Sequence, residues 1–240
     1  VKQMLPEGYD MEKHFTPNYN PWDQRLCLVP NADLFESIKS GKAQVVTAEI
    51  DRITETGIRL ENGDELPADI IVLATGLKLE VLAGVPFTVD GAAIDFSKQF
   101  TYKGMMYSGV PNLANTFGYV NASWTLRADL TSEWVCRLVE HMKRSGATQV
   151  TPVLRLEDQG MQTLPWIADF PAGYMQRVMH LFPQQGQGPW KNTQNFAIDK
   201  KMIRNSPVAD NALIFSANGK SNSADPRESE IDAQPQQSAG

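Results

Sequence analysis

The sequence has 240 residues, of which 42% are hydrophobic and 21% are charged, and its formal net charge is -6. This is the composition of an ordinary globular protein with enough apolar side chains to build a core. The acidic balance and the lack of any run of Lys or Arg argue against a nucleic-acid surface or a patch for anionic membranes. No leader pattern opens the sequence, and no apolar stretch reaches the roughly 18 residues of a membrane-spanning helix. We therefore expect a cytoplasmic protein.

The N-terminal part predicts a short helix followed by a small antiparallel meander. The helix is expected over 33–40, with Asn31 as its cap and Gly41 just past its end. A hairpin turn is expected at Asn62 and Gly63, because both residue types tolerate positive φ. The strands of the meander are expected over 43–47, 49–54, 57–60 and 65–66.

A buried strand is predicted over 69–73, where an acidic residue precedes consecutive large aliphatic side chains. Such a run is typical of a parallel strand that is covered on both faces. Ligands in open α/β sheets bind beyond the carboxyl ends of strands of this kind. A cofactor is therefore expected beside the turn that follows, at Ala74, Thr75, Gly76 and Leu77. Taken alone, the stretch indicates only a core strand and a turn, and it is the rest of the chain that favours a ligand.

A long helix is predicted from about 124 to 143. Apolar side chains recur at every fourth position, charged residues such as Arg127 occupy the other faces, and Gly146 ends the pattern. One side of this helix should therefore be buried. The recurring residues are Leu126, Leu130, Trp134, Leu138 and Met142.

A turn of small and polar residues, 118–123, leads the chain into this helix. The N–H groups and the positive dipole end of a helix start form a natural site for an anion or for the electron-rich edge of a ring. Simple N-capping by Asn121 or Ser123 is the plainer alternative, and on the residues alone it is the favoured one.

The remaining elements are short. Beyond 217 almost no large apolar side chain occurs, so a disordered tail is expected there. Strands are expected over 105–108, 113–117 and 150–156, and further helices over 173–182 and 195–204.

The cysteines and histidines indicate neither a disulfide framework nor a metal site. Cys27 and Cys136 lie far apart and outside any Cys-x-x-Cys spacing, which predicts reduced thiols in the core. His14, His141 and His180 are isolated from one another and from other ligand-type residues, which favours surface or packing histidines.

Motifs spread along the chain carry a family resemblance: His-Phe-Thr-Pro at 14–17, Tyr-Asn-Pro-Trp-Asp-Gln-Arg-Leu-Cys-Leu-Val-Pro at 19–30, Asp-Ile-Ile-Val-Leu-Ala-Thr-Gly-Leu at 69–77, Lys-Gly-Met-Met-Tyr-Ser-Gly-Val-Pro-Asn at 103–112 and Gly-Tyr-Val-Asn-Ala-Ser-Trp-Thr-Leu at 118–126. The sequence resembles the flavin-dependent Baeyer–Villiger monooxygenases from about residue 6 to residue 204. Ala-Thr-Gly is shared by many flavoproteins that bind two dinucleotides, whereas the motifs within 14–30 and within 103–126 are specific to one branch of the family.

The resemblance implies an α/β fold with two doubly wound, Rossmann-like domains, one for FAD and one for NADP(H). It implies that NADPH reduces the flavin, that O2 adds to form a C4a-peroxyflavin, and that this species attacks a ketone or a sulfur atom of a small molecule. By the same resemblance, 1–80 is the remainder of the NADP-binding domain with a return linker. Residues 81–216 form the C-terminal part of the FAD-binding domain, and 217–240 the disordered tail.

The resemblance also implies roles for two neighbouring residues of the second motif. Arg25 looks like the active-site arginine, and the role is chemically sound because a guanidinium keeps its charge near neutral pH and stabilises developing anions. Gln24 stands where many relatives carry a lysine for the NADP 2′-phosphate, so the preference between NADPH and NADH stays open.

The two turns identified above receive cofactor roles from the resemblance. The turn at 74–77 would lie beside the cofactors at the domain junction. Asn121, Ser123 and Trp124 would present the helix start to the pyrimidine edge of the flavin, where reduction places negative charge.

The sequence departs from the family in one respect. The Gly-rich fingerprints for FAD and NADP, and the family's Phe-x-Gly-x-x-x-His-x-x-x-Trp stretch, are absent, and the first residue is Val1. We therefore expect this sequence to be the trailing part of a longer flavin monooxygenase. The alternatives are a non-catalytic fragment or binding module, and a flavoprotein that performs only S- or N-oxidation.

Overall fold

The computed structural model describes residues 1–20, 23, 29–168, 170–217 and 220–221, the last pair by backbone alone. The chain divides into two compact units, Val1–Leu77 and Lys78–Gly240. Each unit has its own helices and antiparallel strands, so the fold is mixed α/β. Among the helices of the described residues, none is both long and apolar enough to cross a membrane.

The first unit contains short helices and a three-stranded antiparallel sheet. Its elements are a 3-10 turn (Lys2–Met4), α1 (Met11–Phe15), α2 (Asp33–Lys39), β1 (Ile50–Ile53), β2 (Gly57–Leu60) and β3 (Glu65–Pro67). The strand order is β1-β2-β3, and Ile53, Ile58 and Leu66 lie side by side across the sheet. Aliphatic side chains thus form one face of this meander.

The helix and the meander predicted for this unit are confirmed, with two corrections. The residue before α2 is Ala32, in a left-handed conformation (φ 57°) and without a side-chain cap, so the prediction of Asn31 as the cap is wrong. Residues 43–47 are irregular and do not form a strand. The hairpin between β2 and β3 is closed as expected, since the N–H of Gly63 donates to the carbonyl of Leu60 at 3.0 Å.

The strand predicted over 69–73 is not formed. This segment is irregular, and the side chains of Ile70, Val72 and Leu73 are 83%, 81% and 74% exposed. A strand gains its hydrogen bonds and its burial from neighbours, and the three-stranded sheet of the described residues ends at β3. The aliphatic run therefore lacks the partners that would make it a core strand.

In the second unit a long helix accompanies small antiparallel sheets. Its strands and helices are β4 (Thr88–Val89), β5 (Ala92–Ala93), β6 (Thr101–Tyr102), β7 (Met106–Tyr107), α3 (Trp124–Ser145), β8 (Gln149–Pro152), α4 (Gly173–Gln176), α5 (Phe196–Asn205), β9 (Leu213–Ala217) and β10 (Lys220–Ser221). β4 pairs with β5, β6 pairs with β7, and the third sheet has the order β10-β9-β8. The sheet pairings among the described residues are antiparallel, so the parallel sheet implied by the resemblance is not among them.

The helix α3 confirms the prediction of a long amphipathic helix. Its apolar stripe is buried at Leu130, Trp134 and Leu138, and Gly146 ends it in a left-handed conformation (φ 72°). Arg127, which was expected on an exposed face, is instead buried. Its charge is paired inside the protein, as described below.

The thiol of Cys136 is exposed, so the prediction that it lies in the core is wrong. On a helix with about 3.6 residues per turn, position 136 falls on the side away from Leu130, Trp134 and Leu138. Cys27 lies outside the described residues.

The core of the second unit consists of two apolar clusters. One is lined by Phe96, Tyr107, Val110, Trp166, Ile167, Phe170, Ala172, Met175, Val178, Met179 and Phe182. The other joins α3, α5 and the third sheet through Tyr102, Met105, Met106, Leu130, Trp134, Leu138, Val150, Trp190, Ile203, Ala212 and Leu213. Fully burying one such side chain contributes about 1.5–3 kcal/mol, so the second cluster fixes how α3 and α5 pack together.

The C-terminal elements agree with the sequence in kind and differ in extent. Helix α5 is confirmed, and Asn195 caps it by accepting the N–H of Ile198 at 3.1 Å. The helix predicted over 173–182 is interrupted at Val178 (φ -122°, ψ 0°), after which a 3-10 turn, Met179–Leu181, continues.

Three further predictions differ from the structure. The strand expected over 150–156 is the shorter β8, and 113–117 is irregular. The disordered tail was expected from 217, but β10 pairs with β9 beyond that point. Residues 222–240 lie outside the described residues.

Candidate functional site

The candidate site is built around residues 118–123, the loop that leads into α3 in the second unit. Gly118 and Tyr119 at its beginning are buried, whereas Asn121 and Ser123 near its end are exposed. Trp124 follows as the first residue of α3 and is 51% exposed. The loop is thus anchored at one end and presents its other end, with the helix start, at the surface of its unit.

The start of α3 is not capped by the side chain of Ser123. Within the described residues, Ser123 makes no side-chain capping bond to the helix, and its Oγ lies 2.7 Å from Oγ1 of Thr125. The first turn of α3 carries no acidic residue. Simple capping by Ser123 is therefore not what the structure shows, and the positive end of the helix dipole is not neutralised by a carboxylate of that turn.

The indole of Trp124 lies directly across the first residue of the loop. A Cβ added at Gly118 would overlap Cγ of Trp124. The indole also contacts the ring of Phe117, with 5.1 Å between the ring centroids and an angle of 45° between the ring planes. Only glycine leaves room for this contact, so Gly118 and Trp124 together set the path of the chain into α3.

We expect the substitution Gly118→Ala to lower the free energy of unfolding by about 1–3 kcal/mol, because a methyl group would be forced into the indole. Urea unfolding followed by tryptophan fluorescence measures the loss. The double variant Gly118→Ala/Trp124→Ala should recover most of it. Gly173→Ala is the matched control, since its Cβ would meet only a guanidinium nitrogen of Arg177 at 3.4 Å. Equal losses in Gly118→Ala and Gly173→Ala would contradict the packing argument.

A side-chain amide holds the buried end of the loop. Oε1 of Gln194 accepts the N–H of Val120 at 3.0 Å, and its Nε2 donates to the carbonyl of Gly118 at 3.4 Å. Nε2 also donates to Oδ1 of Asn192 at 3.3 Å. One carboxamide thus bonds to both backbone groups that face it from the loop.

A buried carboxylate holds the residue between these two positions. Oδ2 of Asp199, on α5, accepts the hydroxyl of Tyr119 at 2.8 Å and Nη1 of Arg127 at 2.6 Å. Oδ1 of Asp199 accepts the hydroxyl of Thr193 at 2.6 Å. Burial and the Asp199 carboxylate raise the pKa of Tyr119 to about 12, so its hydroxyl remains a proton donor near neutral pH.

Arg127 connects this carboxylate to the loop after β6. Its Nη2 donates to the carbonyl of Lys103, and a Cβ at Gly104 would lie 2.7 Å from the same nitrogen. The side chains of Arg127 and Asp199 are only 3% and 2% exposed. The guanidinium therefore fits because Gly104 has no side chain. The buried ion pair joins α3 to α5, and the hydrogen bond to Lys103 attaches the loop after β6 to them.

No family model matches the chain. The chain is similar to curated monooxygenases. It is 50% identical over 216 residues to the FAD-containing monooxygenase EthA of Mycobacterium tuberculosis, and the match covers 90% of this chain and 44% of that protein. The EthA of Mycolicibacterium smegmatis is 49% identical over the same length. The chain is therefore similar to the C-terminal portion of these FAD-containing monooxygenases.

Further relatives carry similar names. The probable FAD-binding monooxygenase AlmA of Acinetobacter baylyi is 44% identical over 220 residues, and the putative FAD-containing monooxygenase MymA of Mycobacterium tuberculosis is 41% identical over 225 residues. The chain spans less than half the length of the curated relatives it matches, 43% to 45% in these cases.

The other residues that the sequence predicts to bind a cofactor or act in catalysis lie as follows. Ala74, Thr75, Gly76 and Leu77 are exposed at the end of the first unit, and Gly76 has a left-handed φ of 105°. Asn121, Ser123 and Trp124 lie together in the second unit. Arg25 and Gln24 lie outside the described residues. In the part of the chain that the structure describes, no group of three or more His, Cys, Asp or Glu residues is arranged to hold a metal ion.

Sequence reasoning missed the residues that support the loop, namely Gln194, Asp199 and Arg127. The sequence does contain a signal for Asp199 and Arg127, which is their spacing from apolar residues of the same helix. Asp199 falls three residues after Phe196 and four before Ile203, so it lies on the apolar stripe of α5. Arg127 is likewise three residues before the buried Leu130. A charged residue on each of two apolar stripes indicates an ion pair between the helices. No comparable signal marks Gln194.

Proposed function

We propose that the full-length protein containing this chain is a FAD- and NADPH-dependent monooxygenase of the Baeyer–Villiger type. It transfers one atom of O2 into a ketone, giving an ester or lactone, or onto the sulfur of a thio-compound. The second oxygen atom leaves as water, with the electrons supplied by NADPH. The observation that carries this proposal is the match of nine-tenths of the chain, at 50% identity, to a FAD-containing monooxygenase.

The start of α3 suits the role that the family assigns to it. Bound FAD would supply the activation of O2, and its ring gains negative charge on reduction. A helix start without a carboxylate in its first turn offers a positive dipole end to that charge. We propose that the backbone at Asn121, Ser123 and Trp124 faces the pyrimidine edge of the flavin, with the indole of Trp124 beside it.

We propose that the first unit contributes to NADP(H) binding. Ala74, Thr75, Gly76 and Leu77 would lie beside the cofactors in the complete protein, in a turn for which Gly76 supplies the left-handed conformation. The exposed aliphatics that precede this turn would then lie in a sheet of a doubly wound domain. In this proposal, residues 1–80 belong to the NADP-binding domain and 81–216 to the FAD-binding domain.

The test is a product assay on the purified full-length protein. A yellow protein with a flavin spectrum, NADPH-dependent O2 uptake and an ester or lactone formed from a ketone is the expected result. Reactions with NADH, and reactions with catalase added to remove free hydrogen peroxide, are the controls. Oxidation of sulfur or nitrogen without any ester would replace the Baeyer–Villiger assignment with simple S- or N-oxidation. A protein without flavin would contradict the proposal as a whole.

A further inference from the structure

We propose that Gln194 is a positioning residue for the flavin site, because its carboxamide sets the geometry of the 118–123 loop without reaching the exposed end of that loop. This inference rests on the proposed function, since it assumes that the flavin meets the start of α3. Its structural part is independent of any cofactor. This part is the pair of hydrogen bonds from Gln194 to Gly118 and Val120, which we call the clamp.

The first support is the pairing of the carboxamide with the backbone. Gln194 accepts from the N–H of Val120 and donates to the carbonyl of Gly118. One side chain thus bonds to a carbonyl and to the N–H two residues later along the loop. The carboxamide of Gln194 therefore fixes the backbone between Gly118 and Val120.

The second support is the backbone of Gln194 itself. Its φ of 49° is left-handed, a conformation that glycine and asparagine adopt more readily than glutamine. Residues held in such conformations persist where the surroundings over-determine them, and they occur frequently at functional sites. Here the conformation places the carboxamide against the loop.

The third support is the rigidity of the segment behind it. Asn192 is buried, its Nδ2 donates to the carbonyl of Trp166 at 2.9 Å, and its N–H donates to Oε1 of Gln185 at 3.0 Å. On the other side, Asn195 caps α5. Gln194 thus lies between two residues that are each held by hydrogen bonds. Movement of the 118–123 loop requires the hydrogen bonds between Gln194 and the loop to break.

These contacts end just before the residues that we place at the flavin. Val120 is clamped, and Asn121 follows it directly at the surface. Sites that bind or transform a ligand need their groups held to within a fraction of an ångström, and supporting residues supply that precision. Loss of the clamp should therefore loosen the helix start while leaving the core of the unit intact.

The experiment compares Gln194→Gly and Gln194→Asn with the wild-type full-length protein. Glycine removes the carboxamide and relieves the left-handed backbone, and asparagine tolerates that backbone but is one methylene too short to reach both backbone groups. Asp90→Gly is the matched control, because Asp90 is an exposed residue with a φ of 50° in the β4–β5 turn.

Three quantities are measured: amide hydrogen exchange across the loop in the protein stripped of FAD, the dissociation constant for FAD, and the resolution of the flavin absorption bands. In both Gln194 variants we expect exchange in the loop to rise by about tenfold or more and the FAD dissociation constant to rise by about tenfold, as loss of this hydrogen-bonded pair implies. The flavin bands should broaden. The melting temperature should stay within the change that Asp90→Gly produces.

The outcomes separate the inference from the function on which it rests. Unchanged exchange in the loop would overturn the clamp. Faster exchange with unchanged FAD affinity and flavin bands would overturn the positioning role, whatever the melting temperature does. A wild-type protein that binds no FAD would overturn the proposed function and the positioning role with it, and the exchange data on the stripped protein would still report on the clamp.

Discussion

We expect the substitution Arg127→Met to lower the free energy of unfolding by about 3–5 kcal/mol, because it leaves the carboxylate of Asp199 buried without its cation. Methionine keeps most of the volume of the arginine stem, so the effect comes from the charge and from the lost bond to the carbonyl of Lys103. The measurement is urea unfolding of the full-length protein, followed by tryptophan fluorescence.

A surface pair between the same two helices provides the control for Arg127→Met. Arg204 on α5 contacts Glu133 on α3 at 2.8 Å, and both side chains are 37% exposed. An exposed pair of this kind contributes about 0–1 kcal/mol, so Arg204→Met should change the unfolding free energy by no more than that.

A double variant identifies the origin of the loss. In Arg127→Met/Asp199→Asn both charges are removed, so part of the loss should be recovered, although Tyr119 and Thr193 then bond to a neutral amide. A loss below about 1 kcal/mol in Arg127→Met alone would show that the guanidinium is not essential to this network.

The buried network also explains why the start of α3 has a defined position. Tyr119 belongs to the loop, Asp199 to α5 and Arg127 to α3, and their bonds converge on one carboxylate. Buried polar groups of this kind are costly when any partner is missing, so a network with its partners in place favours one arrangement of the elements that carry it. The clamp by Gln194 then refines the loop within that arrangement.

The sequence predicted those helices and turns whose determining residues all lie close together along the chain. The helix α3 shows a full apolar stripe and a terminal Gly146, and α5 shows Asn195 at its start. The hairpin at Asn62 and Gly63 requires only its two turn residues. These features depend on neighbours along the chain, which the sequence displays directly.

Other features depend on partners that are distant along the chain. The run at 69–73 has the composition of a buried strand, but composition does not supply the neighbouring strands, and Ile70 and Val72 are exposed. The ion pair between Arg127 and Asp199 joins residues that are 72 positions apart, so no local window contains both. Gln194 bonds to Gly118 across 76 positions. Tertiary packing decides such contacts. Of these features, only the ion pair is indicated by the sequence, because its two charged residues fall on the apolar stripes of α3 and α5.

We expect the substitution Arg25→Ala to reduce the rate of oxygenation in the full-length protein by roughly 10²- to 10³-fold, the effect of losing one preorganised electrostatic group that stabilises developing negative charge. When an oxygen nucleophile adds to a ketone, negative charge forms on the carbonyl oxygen, and a guanidinium beside it stays protonated at any pH at which the enzyme works. The position of Arg25 in its motif is the basis for this assignment.

The design separates the expected catalytic role of Arg25 from a role in cofactor binding. Arg25→Ala should retain FAD, and NADPH should still bleach the flavin in the absence of O2, while ester or lactone formation falls and O2 uptake continues as hydrogen peroxide release. Arg25→Lys should fall between wild type and Arg25→Ala, because an ammonium supplies charge without the planar fork of donors. Arg52→Ala, at an exposed arginine of β1 that forms an ion pair with its neighbour Asp51, is the control and should leave turnover unchanged. Product formation by Arg25→Ala within tenfold of wild type would remove Arg25 from the catalytic role, and loss of FAD from that variant would assign it to cofactor binding instead.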